Sequence, residues 1–309
     1  MSVQGASGNS SPARPKTTAI TLREKHGRGE PITMVTAYDF PTARMADTAG
    51  FDAILVGDSL AMVVLGQPNT LSVTMDEMLH HARAVSRGAT TALLVGDMPF
   101  MSYQAAVTDA VRNAGRFLQE AGMDAVKLEG GRPFVETVKA VVRSGIPVQG
   151  HIGLTPQSVK ALGGFRVQAR TAAAARAFIE DALALEDAGC FSIVIESVPD
   201  RLAELVTDRL SIPTIGIGAG PGTSGQVLVF HDLVGMFDGF TPKFAKRYAE
   251  LGKAMTEALR AFRAEIESGA FPTREHSYAM AEEEWQALVA TLDRRLSVAR
   301  PRRSRPARA

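Results

Sequence analysis

Short aliphatic runs recur along this chain, each followed by a polar or glycine-containing turn and then by a longer segment whose apolar residues fall three and four apart. The runs are "ITMVTAYD", "AILVGDS", "ALLVGDMPF", "AVKLEGG", "PVQGHIGL", "SIVIESVP", "PTIGIGAG" and a weaker "VLVFHDLVG". They are continuously apolar rather than alternating, as strands are when both faces of their sheet are covered. The segments between them, such as "MDEMLHHARAVSRG", "AAVTDAVRNAGRFLQEAG" and "FVETVKAVVRSG", stop at glycine, a helix C-terminal residue. Eight strands in strict alternation with helices predict an α/β fold, a (β/α)8 barrel with additional C-terminal helices. The competing arrangement is an open doubly wound sheet, but its Gly-rich nucleotide loop after the first strand is missing here.

Beyond the repeats the pattern changes. The leader over residues 1–17 is rich in Ser, Gly and Pro and is expected to be disordered. The barrel is expected over residues 18–276, with a closing helical region over 242–269. One appended helix is expected over 277–296 and a basic, disordered tail over 297–309. Of 309 residues 45% are hydrophobic and the net charge is +1, so the body has a full core and no field that would recruit nucleic acid or a membrane. The single cysteine, Cys190, excludes a disulfide framework and a thiolate zinc site, and reads as buried packing. With no signal-type segment and no membrane-length apolar run, a cytoplasmic protein is expected.

In a barrel the C-terminal strand ends converge on one face, which hosts the active site. The runs deliver Asp39, Asp58 with Ser59, Asp97, Lys127 with Glu129, His151 and Glu196 to that face. Carboxylates crowded into one pocket repel one another unless they are protonated or share a cation. Oxygen donors without thiolates favour Mg2+. Asp58 and Asp97, each in a Val-Gly-Asp context, are the first candidates for ligands, with helix N-caps as the alternative that pattern leaves open. Lys127 and Glu129 lie two apart and face the same way on a strand, between apolar neighbours that suit a surface ion pair poorly. His151 reads as a pocket residue or a core histidine, Glu196 as a general base, and Asp39, at the first strand end, as a cap of the turn that follows. "IGIGAGPGTSGQ" reads as a phosphate loop or as a close-packed backbone bend.

The stretches "TAYDF", "LVGDSLAMVVLGQPNTLSVT", "GDMPFMSY", "VKLEGG", "GHIGLTPQSV", "GGFRVQAR", "IPTIGIGAG" and "HDLVGMFDGFTPKFAKRY" together resemble the ketopantoate hydroxymethyltransferase family, from about residue 17 to residue 276. Ser224 departs from the acidic residue expected at its place. The resemblance implies a barrel enzyme that uses Mg2+, with 5,10-methylenetetrahydrofolate as co-substrate, to convert 3-methyl-2-oxobutanoate to 2-dehydropantoate on the way to pantothenate and coenzyme A. It implies Asp58 and Asp97 as metal ligands, Glu129 beside the metal's water shell, and Glu196 as the base. Asp58, Ser59, Asp97, Lys127 and His151 would meet the substrate. A homo-oligomer, a homodecamer of stacked pentamers, is also implied. Two other readings compete: a Mg2+-dependent lyase or mutase of the isocitrate lyase and phosphoenolpyruvate mutase type, which would need a reactive cysteine loop, and a catalytically silent scaffold.

Overall fold

The computed structural model describes residues 14–296 apart from 238, 240 and 241. Residues 1–13 and the tail 297–309, both expected to be disordered, lie outside the described residues. The chain divides into two compact units between Gly252 and Lys253.

The first unit runs α1 (Ala19–Gly27), β1 (Ile32–Thr36), α2 (Phe40–Thr48), β2 (Ala53–Val56), a short α3 (Leu60–Val63) and α4 (Met75–Gly88). It continues with β3 (Leu93–Asp97), α5 (Val107–Ala121), β4 (Ala125–Glu129), α6 (Val135–Arg143) and β5 (Val148–Gly153). Then come α7 (Ala172–Asp187), β6 (Ser192–Glu196), α8 (Asp200–Thr207), β7 (Thr214–Ile217), β8 (Gly225–Leu228) and a four-residue α9 (Phe230–Leu233). All eight strands are parallel and close in chain order, β8 pairing with β1. The expected (β/α)8 barrel is therefore present.

Alternation along each strand divides the barrel into two apolar layers. Ile32, Met34, Leu55, Leu93, Val95, Ala125, Val194, Ile215 and Val227 point inward and fill the interior, with Leu22 of α1 packed among them. Their outward neighbours Ile54, Leu94, Val126, Leu128 and Ile193 pack with helix residues such as Met78, Leu79, Phe117, Val138 and Leu185. Because the period is two, the inward positions above Val95 and Ala125 are Asp97 and Lys127, so the same geometry that fills the lower barrel lifts charge into the upper one.

The strict alternation fails once. Between β7 and β8 there is no helix, because residues 218–224 are too few for a helical crossover. The chain instead returns as a bent, glycine-rich strap packed against α8, with Gly220 against Asp200 and Gly222 against Glu204. A Cβ on Gly216 would lie 2.5 Å from Thr223 Oγ1, and one on Gly220, whose φ is +78°, would lie 2.4 Å from Asp200 Cβ. The glycines of "IGIGAGPG" thus serve close packing. Ser224 lies at the foot of this strap, its hydroxyl accepting from the Thr214 N–H and 3.0 Å from His26 Nδ1, which makes the departure at this position structural.

Three other expectations are corrected. The last residues of the leader are anchored: Arg14 pairs with Asp52, Lys16 with Asp124, and the buried Thr17 donates its N–H to the Thr91 carbonyl. The closing helix α10 (Leu251–Ser268) starts nine residues later than 242, since the Tyr248 and Leu251 N–H groups bond back to the carbonyls of Leu233 and Val234. The second unit, from Lys253 on, carries all but the first two residues of α10 and the whole of α11 (Glu282–Leu296), which starts five residues later than the expected 277.

Asp52 ties the N-terminal segment to the barrel. Its carboxylate receives Arg14 at 2.8 Å, Lys25 at 2.8 Å, and both the N–H and hydroxyl of Thr33 at 2.9 Å, with its side chain 5% exposed. Burial alone would raise its pKa, but the bonds from Lys25 and Thr33 outweigh it and hold the carboxyl below its usual range. Asp52→Asn is expected to cost about 2–4 kcal/mol of stability near neutral pH, measured by urea unfolding. A lowered folded-state pKa means that this contribution is complete above the ordinary carboxylate range and disappears as pH falls through the depressed value. The two proteins should therefore converge in stability in acid.

Candidate active site

The C-terminal mouth of the barrel opens into a cavity of about 570 Å³ lined by Asp58, Ser59, Asp97, Lys127, Glu129, His151 and Glu196. All the expected site residues except Asp39 meet there. Asp39 accepts from the N–H and hydroxyl of Thr42 at 2.8 and 2.6 Å and caps α2, so the capping reading holds for it. It does not hold for the other two aspartates. Asp97 is the last residue of β3, and its Oδ2 accepts the Asp58 N–H at 3.0 Å, while neither side chain caps a helix.

Strand register assembles the rest. Asp97 lies opposite Lys127 and Glu129 opposite His151, each pair on neighbouring strands. Lys127 Nζ is 2.9 Å from Asp97 Oδ1 and 3.2 Å from His151 Nδ1. His151 stands between two carboxylates, Nδ1 at 3.5 Å from Glu129 Oε1 and Nε2 at 3.1 Å from Glu196 Oε2. Lys127, Asp97, Glu129 and His151 are each at most 3% exposed. The result is one chain of contacts, Asp97, Lys127, His151 and Glu196, with the two basic groups in the middle and a carboxylate at each end.

Burial shapes each proton equilibrium. Asp58 is pushed well above the ordinary carboxylate range by desolvation and by the neighbouring charges of Asp97 and Glu129. Asp97 is raised by desolvation too, although Lys127 opposes it. Burial works against the Lys127 ammonium, yet Asp97, Glu129 and Asp58 together hold its pKa above the usual lysine value. Burial and Lys127 would likewise lower the His151 pKa, but Glu129 and Glu196 prevail and hold it up at about 9.

These residues fit a divalent cation. Asp58, Asp97, Glu129 and Glu196 face only Lys127 and His151, which leaves an excess of negative charge in a dry pocket. Glu129 Oε1 is a buried oxygen whose nearest cation, His151 Nδ1, is 3.5 Å away, and Asp97 Oδ1 meets only the Lys127 ammonium. Among the described residues no three carboxylate, histidine or cysteine side chains converge as a complete cage. Glu129 lies beside the two aspartates on the same cavity, and its Oε2 accepts the Gln157 N–H at 2.9 Å. Two aspartates with waters and substrate oxygens suffice for Mg2+.

Sequence reasoning missed the residues that hold this arrangement. Gln157 is 4% exposed; its Nε2 donates to Asp58 Oδ2 at 3.0 Å and to the Met98 carbonyl at 2.9 Å. Its Oε1 accepts from the Tyr103 hydroxyl at 2.9 Å, and Tyr103 in turn accepts the Glu129 N–H at 3.1 Å. Ser59 Oγ lies 2.9 Å from the buried Tyr38 hydroxyl. Gln157 follows a strand end inside "GLTPQSV", and a polar residue beside proline in a loop carries no signal of burial. Cys190, by contrast, precedes β6, is 3% exposed, and has its thiol pushed up to about 12 by desolvation, so it puts no reactive sulfur at the mouth.

A parallel barrel with a buried acid–base cluster at its C-terminal mouth is the frame of an enzyme acting on a small molecule. Solved structures share that frame. Phosphonopyruvate hydrolase in complex with oxalate and Mg++ is 15% identical with a TM-score of 0.55, covering 90% of this chain and 97% of its own. 2,3-Dimethylmalate lyase, a PEP mutase/isocitrate lyase superfamily member, is 18% identical with a TM-score of 0.53, covering 89% and 99%. Likeness at this level speaks for the fold.

Sequence decides the family. The chain belongs to the ketopantoate hydroxymethyltransferase family, whose profile matches residues 16–274. The 3-methyl-2-oxobutanoate hydroxymethyltransferase of Syntrophobacter fumaroxidans is 58% identical over 264 residues, covering 85% of this chain and 94% of the relative. That of Moorella thermoacetica is 57% identical over 265 residues, covering 86% and 98%. The activity is hydroxymethyl transfer to 3-methyl-2-oxobutanoate in pantothenate biosynthesis.

Removing Gln157 should loosen the basket. Gln157→Leu leaves Asp58, Tyr103 and the Met98 carbonyl without their partner and is expected to cost about 2–4 kcal/mol in urea unfolding. Tyr103→Phe removes one hydroxyl and should cost less, about 1–2 kcal/mol in the same measurement.

Proposed function

We propose that Asp58 and Asp97 hold Mg2+, with Glu129 beside its water shell, and that 5,10-methylenetetrahydrofolate is the carbon donor. The cation, when bound, supplies Lewis-acid polarisation to the 2-oxo acid. Lys127 meets the charge that grows on the 2-oxo oxygen as the C3 proton leaves, and Ser59 receives the acid's carboxylate. Glu196 takes the C3 proton, held in place by His151. Water opens the donor's methylene bridge, both carbon–nitrogen bonds breaking, which frees tetrahydrofolate and leaves the one carbon as formaldehyde. C3 then bonds to that carbon, and the C=O π pair moves to its oxygen, which takes up a proton and becomes the hydroxymethyl group.

The observation that supports this reading is the gathering of Asp58, Asp97, Lys127, His151 and Glu196 on one cavity, with Lys127 and His151 linking Asp97 to Glu196. The reading also takes the protein to be a cytoplasmic homo-oligomer of decameric order, and the buried free thiol of Cys190 suits a reducing compartment. A mass measurement by light scattering that returned a monomer would overturn the oligomer. No described helix is long and apolar enough to cross a membrane.

Product should require folate and Mg2+ together in the parent, and Asp97→Ala should lose it under either supply. Glu196→Gln should slow exchange of the C3 proton of 3-methyl-2-oxobutanoate with solvent by about 10²–10⁴-fold, followed by NMR in deuterated buffer. Exchange at the parent rate in that variant would remove Glu196 as the base. Product without folate would favour the lyase or mutase chemistry instead.

A further inference from the structure

Ser59 stands where a helix N-cap would, yet it caps nothing. It precedes α3, and a serine at that place ordinarily accepts a backbone N–H from the first turn. Here the side chain makes no such bond; Oγ lies 2.9 Å from the Tyr38 hydroxyl instead, on the wall of the cavity. The glycine of the first Val-Gly-Asp leaves room for that placement, since a Cβ on Gly57 would come within 2.9 Å of Ser59 Oγ.

Hydrogen-bond accounting gives the sense in which the Ser59 proton points. Tyr38, just beyond the end of β1, is 1% exposed, with its ring 5.4 Å from that of His231. Burial holds its phenol above the ordinary tyrosine value, so the hydroxyl keeps its proton and needs an acceptor for it. Two oxygens are near enough to act on it, Ser59 Oγ and Thr36 Oγ1. Thr36 is buried, and its Oγ1 already accepts the Phe230 N–H at 2.8 Å, a backbone group that can only donate. A chain that begins at an obligate donor runs in one sense: Phe230 N–H to Thr36, Thr36 to Tyr38, Tyr38 to Ser59. Each oxygen then accepts once and donates once, and the last proton, that of Ser59, is left for the cavity. The reverse sense would have Thr36 accept twice and turn a lone pair of Ser59 toward the cavity, where an anion would repel it.

From this arrangement we infer that Tyr38 is a positioning residue for the oxo acid: by donating to Ser59 Oγ it turns the Ser59 proton toward the substrate's carboxylate. The inference rests on the proposed role of Ser59. The need for such a device is electrostatic. Asp58, Asp97, Glu129 and Glu196 share the cavity, so an anionic substrate enters surroundings already rich in carboxylates. A neutral hydroxyl chain offers the carboxylate a donor that those acids do not capture as an ion pair, and each bond in the chain polarises the next. The competing partner is Arg166, which lines the same cavity on a segment fastened by the Gln168 N–H to the Ser197 carbonyl at 2.8 Å.

The test is a double-mutant cycle in the Mg2+-loaded full chain, reading KM for 3-methyl-2-oxobutanoate, KM for methylenetetrahydrofolate and kcat. A neutral hydrogen bond contributes about two- to tenfold, so Y38F is expected to raise the oxo-acid KM about three- to tenfold while the other KM and kcat move less than about twofold. S59A should raise the oxo-acid KM at least as far, and adding Y38F to S59A should change it no further. A purely structural loss at Tyr38 would multiply with S59A and would move both KM values. Either of those results, or an unchanged oxo-acid KM in Y38F beside a raised one in S59A, would overturn the inference while leaving Ser59 as the carboxylate's partner. An unchanged oxo-acid KM in S59A would overturn the proposed role of Ser59 and the inference with it, and a selective rise in R166Q would then assign the carboxylate to Arg166. If circular dichroism shows Y38F unfolded, T36V breaks the same chain one bond earlier. It is expected to raise the oxo-acid KM about two- to threefold in the parent and not at all on the S59A background. A rise that persists in S59A would overturn the inference.

Discussion

The contact between Lys127 and Asp97 organises everything around it. An ammonium and a carboxylate at 2.9 Å in a dry barrel could not persist singly, since each would face a desolvation penalty of several kcal/mol. Together they are tolerable, and their residual imbalance sets the character of the site. Lys127 also touches His151, His151 reaches Glu129 and Glu196, and Asp97 accepts the backbone of Asp58. Every chemically useful group at the mouth is therefore one or two contacts from this pair, and the carboxylate excess that remains is what makes the pocket receptive to a divalent cation.

Strand geometry accounts for how such a cluster forms reproducibly. Asp97, Lys127, Glu129, His151 and Glu196 all occupy β3 to β6, at inward positions fixed by parallel registers that put Asp97 beside Lys127 and Glu129 beside His151. A one-residue slip in any of those strands would turn a charge into the helix layer and an aliphatic side chain into the pocket. The two apolar layers thus protect the register, and the register protects the chemistry.

Much of this was legible from local pattern, for identifiable reasons. Continuous aliphatic runs ending in a polar residue are the mark of a covered parallel strand, so the strand-borne residues were found from sequence. Gln157 and Tyr103 were not, because they come from loops after β5 and β3 and acquire meaning only when barrel closure brings the two loops together. The return between β7 and β8 was open between a phosphate loop and a close-packed bend, because glycine spacing reports only a bend; the packing of Gly216 and Gly220 against Thr223 and Asp200 favours the bend, and strict strand–helix alternation fails there. Anchoring of Arg14 and Lys16 was hidden in a Ser-, Gly- and Pro-rich context, since their partners Asp52 and Asp124 lie far along the chain.

The rigid strands and the loops above them carry different kinds of information. Side chains on β3 to β6 fix where buried charge is held, while the segment around Phe165 and Arg166 is fastened to the residue after Glu196 by the backbone bond from Gln168 to Ser197. Substitutions in the loops can therefore redraw the shape of the entrance while the staves beneath keep their order. A barrel built this way can acquire a new reactant by remodelling its rim, with the acid–base apparatus inherited intact.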